Sequence, residues 1–128
     1  SQDNTINIFD DPGTLKKAIN KKIITDATPL EDPKDPNSSV VFKLYELIAS
    51  QDDAQKMADA LRAGGYGWGH AKKALLEALV DGFDSERSRF NALMANREEI
   101  DLALSQGADQ ARNVASEVLT RVRSKIGY

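Results

Sequence analysis

Apolar residues along this chain recur at three- and four-residue intervals far more often than at every second position, a spacing that predicts helices nearly throughout. Residues 5–9 (Thr-Ile-Asn-Ile-Phe) alternate and give a short extended segment at most. Asp11-Pro12 then marks a helix start, with Asp11 as N-cap and Pro12 at the first helical position. Leu15, Ala18, Ile19 and Ile23 form the apolar stripe of that helix, and Lys16, Lys17, Lys21 and Lys22 flank it. Residues 25–37 hold Pro29, Pro33 and Pro36 among carboxylates and read as a loop, because a proline pushes the residue before it out of helical geometry. Asn37 or Ser38 is placed to cap the next helix, whose core face is Val41, Leu44, Tyr45 and Ile48. A third helix over 52–63 turns Met57, Ala58 and Leu61 inward and stops at Gly64-Gly65.

From Trp68 the pattern continues to Met94. Leu76, Phe83 and Phe90 lie seven apart, Leu79 and Leu93 fall beside them, and the phase survives across Gly82. One long helix near 68–94 is therefore expected, since a mid-helix glycine costs only ~1 kcal/mol against alanine. A short helix over 97–105 with Ile100 and Leu104 inward should end at Gly107. The last helix, 108–126, carries Ala111, Val114, Ala115, Val118, Leu119, Val122 and Ile126 on one arc. No strand pattern of usable length follows residue 9, and no repeat or low-complexity stretch is visible. The fold class expected is all-α, a bundle of about six helices with short connections.

Composition changes this picture little. A chain of 128 residues suits one domain with a real core. The absence of cysteine excludes disulfides and thiolate metal sites, and the single histidine, His70, cannot build a histidine zinc site. No apolar run approaches the ~20 residues of a membrane span, and no basic, apolar leader opens the chain. A reducing cytoplasm is the default location. Charge is more informative. The net value is −3, so the chain as a whole is not an electrostatic nucleic-acid binder. Residues 110–128, however, hold Arg112, Arg121, Arg123 and Lys125 against Glu117 alone.

Three local clusters invite chemistry and fail on context. The run Gly64-Gly65-Tyr66-Gly67-Trp68-Gly69 resembles a phosphate loop, but a helix precedes it where a strand is needed, and no Gly-Lys-Ser/Thr ending follows. It reads better as a helix junction in which Tyr66 and Trp68 plug the bundle end. Asp81, Asp84 and Glu86 lack the ligand order of a calcium loop. His70 has no nucleophile motif near it and reads as a surface or capping residue. No metal site is expected.

The last helix leaves two readings open. At 100° per residue, Arg112 and Arg123 sit ~20° apart on one edge of the apolar arc, with Ser116 alongside, and Arg121 and Lys125 line the other edge. Long stems of this kind cover apolar surface while their heads reach water, and cations suit the negative end of a helix dipole. Glu117 and Arg121 are also spaced for an ion pair. The same array is a surface for backbone phosphates.

The opening Ser1-Gln2-Asp3-Asn4-Thr5-Ile6 resembles the end of the KMSKS signature loop of class I aminoacyl-tRNA synthetases and the run that follows it. Asp10-Asp11-Pro12 with the lysine-rich helix, Ile24-Thr25-Asp26, the run Val40 to Ala49 and Tyr66-Gly67-Trp68-Gly69-His70-Ala71-Lys72-Lys73 follow in the order seen in bacterial tryptophanyl-tRNA synthetases. Gly107-Ala108, Ala111-Arg112, Ala115 and Ile126-Gly127 resemble that family's closing pattern. The tyrosyl enzymes share the loop and the Gly-Ala…Ala-Arg pattern, but usually continue into a further RNA-binding module. Where many relatives place a lysine about three positions after Tyr-Gly, this chain has His70, with Lys72 and Lys73 just beyond.

The resemblance implies a C-terminal portion of an enzyme that joins tryptophan to its tRNA using ATP, with Mg2+, through a tryptophanyl-adenylate. The catalytic fold and the KMSKS lysines would precede Ser1, leaving the portion alone inactive. Residues 1–10 would be a loop remnant and linker, with Ser1 and Asn4 the remnant of the ATP-side loop. Residues 11–128 would be the helical domain that recognises the CCA anticodon of tRNA(Trp), a single-stranded target open to stacking and edge hydrogen bonds. Arg112, Arg121, Arg123 and Lys125 are then the candidate tRNA contacts, and Arg112 alone coincides with a motif position. The parent would be a homodimer and the isolated portion a monomer, with neither membrane nor DNA as partner. The alternatives are the helical domain of a tyrosyl enzyme and a helical protein-interaction module that binds no RNA.

Overall fold

The computed structural model describes residues 4–127. Among them it contains six α-helices and no strand, as the periodicity predicts: α1 Pro12–Lys22, α2 Val40–Glu46, α3 Gln51–Ala63, α4 Trp68–Gly82, α5 Asp84–Ala95 and α6 Arg97–Ile126. Contacts divide the chain into two compact units, Ser1–Arg87 and Ser88–Tyr128. The junction falls inside α5.

In the first unit, α4 is the central element, with α1 and α2 packing on it and α3 on α2. Its buried residues Ala71, Leu75 and Leu79 recur at every fourth position and meet Ile19 and Ile23, Val41 and Phe42, and Met57, Ala58 and Leu61 in one core. Leu44, Tyr45, Ile48, Leu76 and Phe83 close over it as half-buried residues, together with Ile6 and Ile8.

Caps fix the helix starts. The Asp11 side chain accepts hydrogen bonds from the Gly13 and Thr14 N–H groups, as the Asp-Pro start predicts. The cap of α2 lies one residue beyond the expected pair. Asn37 and Ser38 are spent in a short 3-10 turn capped by Asp35, so Ser39 becomes the N-cap and accepts from the Phe42 N–H. Ser50 caps α3 through the Asp53 N–H. The stop at Gly64-Gly65 is steric as well as conformational. Both have positive φ, and a Cβ on Gly64 would collide with the Glu31 carbonyl oxygen.

Two helix boundaries differ from the periodicity. The single helix expected near 68–94 is instead α4 and α5, divided at Phe83 (φ −120°, ψ 23°). Arg87 marks the break. Its Nη1 donates to the Val80 carbonyl at 3.1 Å, and its Nη2 donates to those of Leu79 and Ile8 at 3.2 Å each. Two of these are last-turn carbonyls of α4, which a helix end leaves short of donors. The guanidinium thus caps α4 and ties down the segment that leads into α1. Conversely, 97–105 and 108–126 are one continuous helix. Gly107 does not adopt positive φ, and the apolar arcs on its two sides are in phase, so a ~1 kcal/mol glycine penalty does not stop the helix.

Replacing Arg87 with alanine should lower the unfolding free energy by about 2–4 kcal/mol, because three buried or half-buried carbonyls lose a charged donor. Urea denaturation measures this. Amide exchange at residues 6–9 should quicken in the same variant, and Arg87→Lys should recover part of the loss.

Candidate nucleic-acid interface

Helix α6 carries all four sequence-predicted cations, and its end chemistry follows its charge order. Glu98 and Glu99 lie in the first turn, and Arg123 and Lys125 in the last. Each therefore faces the dipole end that favours it. Gly127 closes the helix in the left-handed conformation (φ 83°), its N–H donating to the Arg123 carbonyl. No residue of α6 is buried. Its apolar arc is exposed, with Val118 43% and Ile126 63% exposed.

Arg112, Arg121, Arg123 and Lys125 are all exposed. Arg112 donates from Nη1 to Asp109 Oδ1 at 2.7 Å, an exposed pair of small energetic value that an anion can displace. The Glu117–Arg121 pair that the spacing allows is not formed, and among the described residues Arg121, Arg123 and Lys125 have no ion-pair partner. The four heads span ~20 Å of helix. The three arginines offer planar forks that suit phosphate oxygens, and Lys125 a point charge.

The other predicted site residues are placed elsewhere. Ser1 lies outside the described residues. Asn4 is exposed and belongs to the first unit, where it edges a shallow apolar groove with Ile6, Leu47 and Phe83.

The Tyr66–His70 junction has a structural job. Lys34 is almost fully buried, and its Nζ donates to the carbonyls of Pro29, Leu30 and Asp32 at 2.8, 3.0 and 2.9 Å. It also stands 5.9 Å from the centroid of the Trp68 ring. The Trp68 indole N–H donates to Asp26 Oδ1 at 3.0 Å. Hydrogen bonds from the Thr28 side chain and N–H, and then from Trp68, hold the Asp26 carboxyl below its ordinary range. His70 is exposed, and its ring lies 5.7 Å from that of Tyr66.

No family model matches the chain. Individual proteins do. A "Tryptophan--tRNA ligase" of Rhodopirellula baltica is 37% identical over 127 residues, which is 99% of this chain and 39% of that protein. One from Fusobacterium nucleatum is 34% identical over 99% of this chain and 38% of its own length. The chain is homologous to one stretch of the tryptophan–tRNA ligases. The crystal structure of tryptophanyl-tRNA synthetase from Campylobacter jejuni matches with a TM-score of 0.90 at 35% identity, over 99% of this chain and 41% of that one. The same enzyme complexed with ADP and tryptophan gives 0.91. The chain thus spans about two fifths of the length of these ligases. They carry the tryptophan name, not the tyrosyl one kept as an alternative.

Against that ligase background, two cations had escaped the sequence reading. Lys34 and Arg87 look like ordinary surface charges by residue type, and both are buried donors to backbone carbonyls. The proline-broken loop around Lys34 was a usable signal, since such a loop leaves carbonyls without helix partners. Nothing local marked Arg87.

Trp68 is the only tryptophan and reports on this junction. A carboxylate whose folded pKa is lowered contributes stability above its unfolded value and loses it as pH falls through the folded one. Trp68 emission should therefore hold its neutral value until the pH drops below 3.8, the ordinary value for Asp26. Asp26→Ala should shift the emission already at neutral pH, as a fluorescence titration would record.

Proposed function

We propose that this chain is the C-terminal tRNA-recognition portion of a tryptophan–tRNA ligase. What carries the reading is the match over 99% of the chain to proteins of that name, at up to 37% identity. Residues 1–10 are the remnant of the KMSKS loop and its linker, with Ser1 and Asn4 the residues nearest the ATP-side chemistry. Residues 11–128 are the helical anticodon-binding part. Arg112, Arg121, Arg123 and Lys125 hold the RNA backbone, which positions the unpaired CCA bases without reading them. Adenylate formation with ATP and Mg2+ belongs to the portion of the ligase that this chain does not match, so the chain by itself does not ligate. The whole ligase is a cytoplasmic homodimer, and the isolated chain is a monomer.

Fluorescence anisotropy with an RNA stem-loop bearing a CCA loop tests this. The chain should bind at ~50 mM salt and release as salt rises to ~200 mM. Changing all four cations of α6 to alanine should flatten the log–log salt slope by about 3, at ~0.7 per single-strand phosphate contact, and weaken binding at least ~10-fold. A chain that ignores this RNA even at low salt is not the proposed recognition module.

A further inference from the structure

A groove between α1 and α4 carries cations that the reading above leaves unused. It encloses about 410 Å3. Ile19 and Leu76 form an aliphatic floor, and Lys16, Lys72 and Lys73 form the rim. Helix α1 contributes four lysines and no carboxylate over Pro12–Lys22. Lys22 is committed to the Thr5 carbonyl at 2.9 Å, while Lys16, Lys17 and Lys21 have no partner among the described residues. On the α4 side, Lys72 makes one long bond to the Asn20 carbonyl (3.4 Å), and Lys73 an exposed 3.6 Å pair with Glu77. Neither occupies an ammonium group fully.

Gly69, at the mouth of this groove, is a second and independent sign. It sits in the first turn of α4, where glycine weakens a helix relative to alanine. Its φ is not positive, and a Cβ built on it meets nothing within 4 Å. Neither backbone geometry nor packing asks for glycine there. Its N–H is also one of the first-turn donors of α4, without an acceptor among the described residues. A bare backbone at a cationic mouth is what close approach by a ligand chain requires.

We propose that the α1–α4 groove binds an unpaired segment of RNA. A phosphate lies between Lys16 and the Lys72–Lys73 pair beside Gly69, and the attached sugar or base covers Leu76 above the buried Ile19. Glu77 at the far end repels a second phosphate, so the backbone has one way to enter. A nucleotide joins a phosphate anion to a flat apolar face in one unit, which matches ammonium groups beside an aliphatic floor. An acidic peptide offers the charge without that face. The proposal rests on the RNA-recognition reading and adds a contact surface to it in the first unit.

The test uses the same CCA stem-loop and the full chain. Lys16→Ala/Lys72→Ala/Lys73→Ala should flatten the salt slope by about 0.7, the value of one single-strand phosphate contact, and weaken binding ~10-fold. The pair Lys16→Ala/Lys73→Ala spares the Lys72 bond to Asn20 and should flatten it by part of that amount. Gly69→Leu should fold with an unchanged or higher melting temperature, because the site is open space, yet lose affinity comparably. If these three variants bind like the parent chain while the α6 variant does not, the groove proposal falls and RNA recognition stands. If the parent chain fails to bind, both fall. Displacement of the RNA by polyglutamate at equal charge concentration would also overturn the groove as an RNA site.

Discussion

Helix α4 must bury one narrow face against several partners at once, and the first unit is arranged around that requirement. Ala71, Leu75 and Leu79 present a stripe one residue wide that α1 and α2 pack against, in a core completed by α3. Tyr66 and Trp68, just before and at the start of α4, pack half-buried against the same core. The leucines further along meet Val41 and Phe42, and each buried side chain of this size stabilises the fold by about 1.5–3 kcal/mol. Because the stripe is shared, the ends of α4 cannot drift, and both ends are locked by charged donors working on backbone carbonyls.

Those two locks have the same chemistry. At the start of α4, the Lys34 ammonium gathers three loop carbonyls beneath Trp68. At its end, the Arg87 guanidinium gathers two carbonyls of α4 and one of the incoming segment. A buried cation is costly unless its hydrogens are satisfied. Here charge-assisted bonds to several backbone carbonyls offset that cost. Among the described residues, the buried Arg87 Nε has no hydrogen-bond partner. The consequence for function is geometric. The segment after residue 4 and the groove between α1 and α4 both belong to a firmly held unit. The cations of α6 stand on a helix with no buried residue.

Most of the fold was legible because helices announce themselves locally. Asp11-Pro12 and the Gly64-Gly65 stop each act within a few residues, and the structure keeps both. The boundaries that moved depend on partners distant along the chain. Phe83 divides α4 from α5 where a guanidinium reaches back to Leu79 and Val80 and across to Ile8, and a residue pattern carries no sign of such a bond. Gly107 fails to end a helix because apolar arcs on both sides share one phase. The candidate interface was legible only in part. The charge excess at Arg112, Arg121, Arg123 and Lys125 is countable, whereas the meeting of Lys16 with Lys72 and Lys73 needs two helices to pack.

The amino-acid sequence by itself therefore determined the helical class, the Asp11 cap of α1, the cationic end of α6 and the likeness to a tryptophan-specific synthetase. Each of these is written in neighbouring residues or in the order of short motifs. Tertiary structure alone decided that Lys34 and Arg87 are buried caps instead of surface charges, that the pattern across Gly82 belongs to two helices, and that lysines from α1 and α4 share one groove. The physical reason is distance along the chain. A carbonyl or an ammonium acquires its partner only when packing brings together residues tens of positions apart, and the core of α4 is what does so.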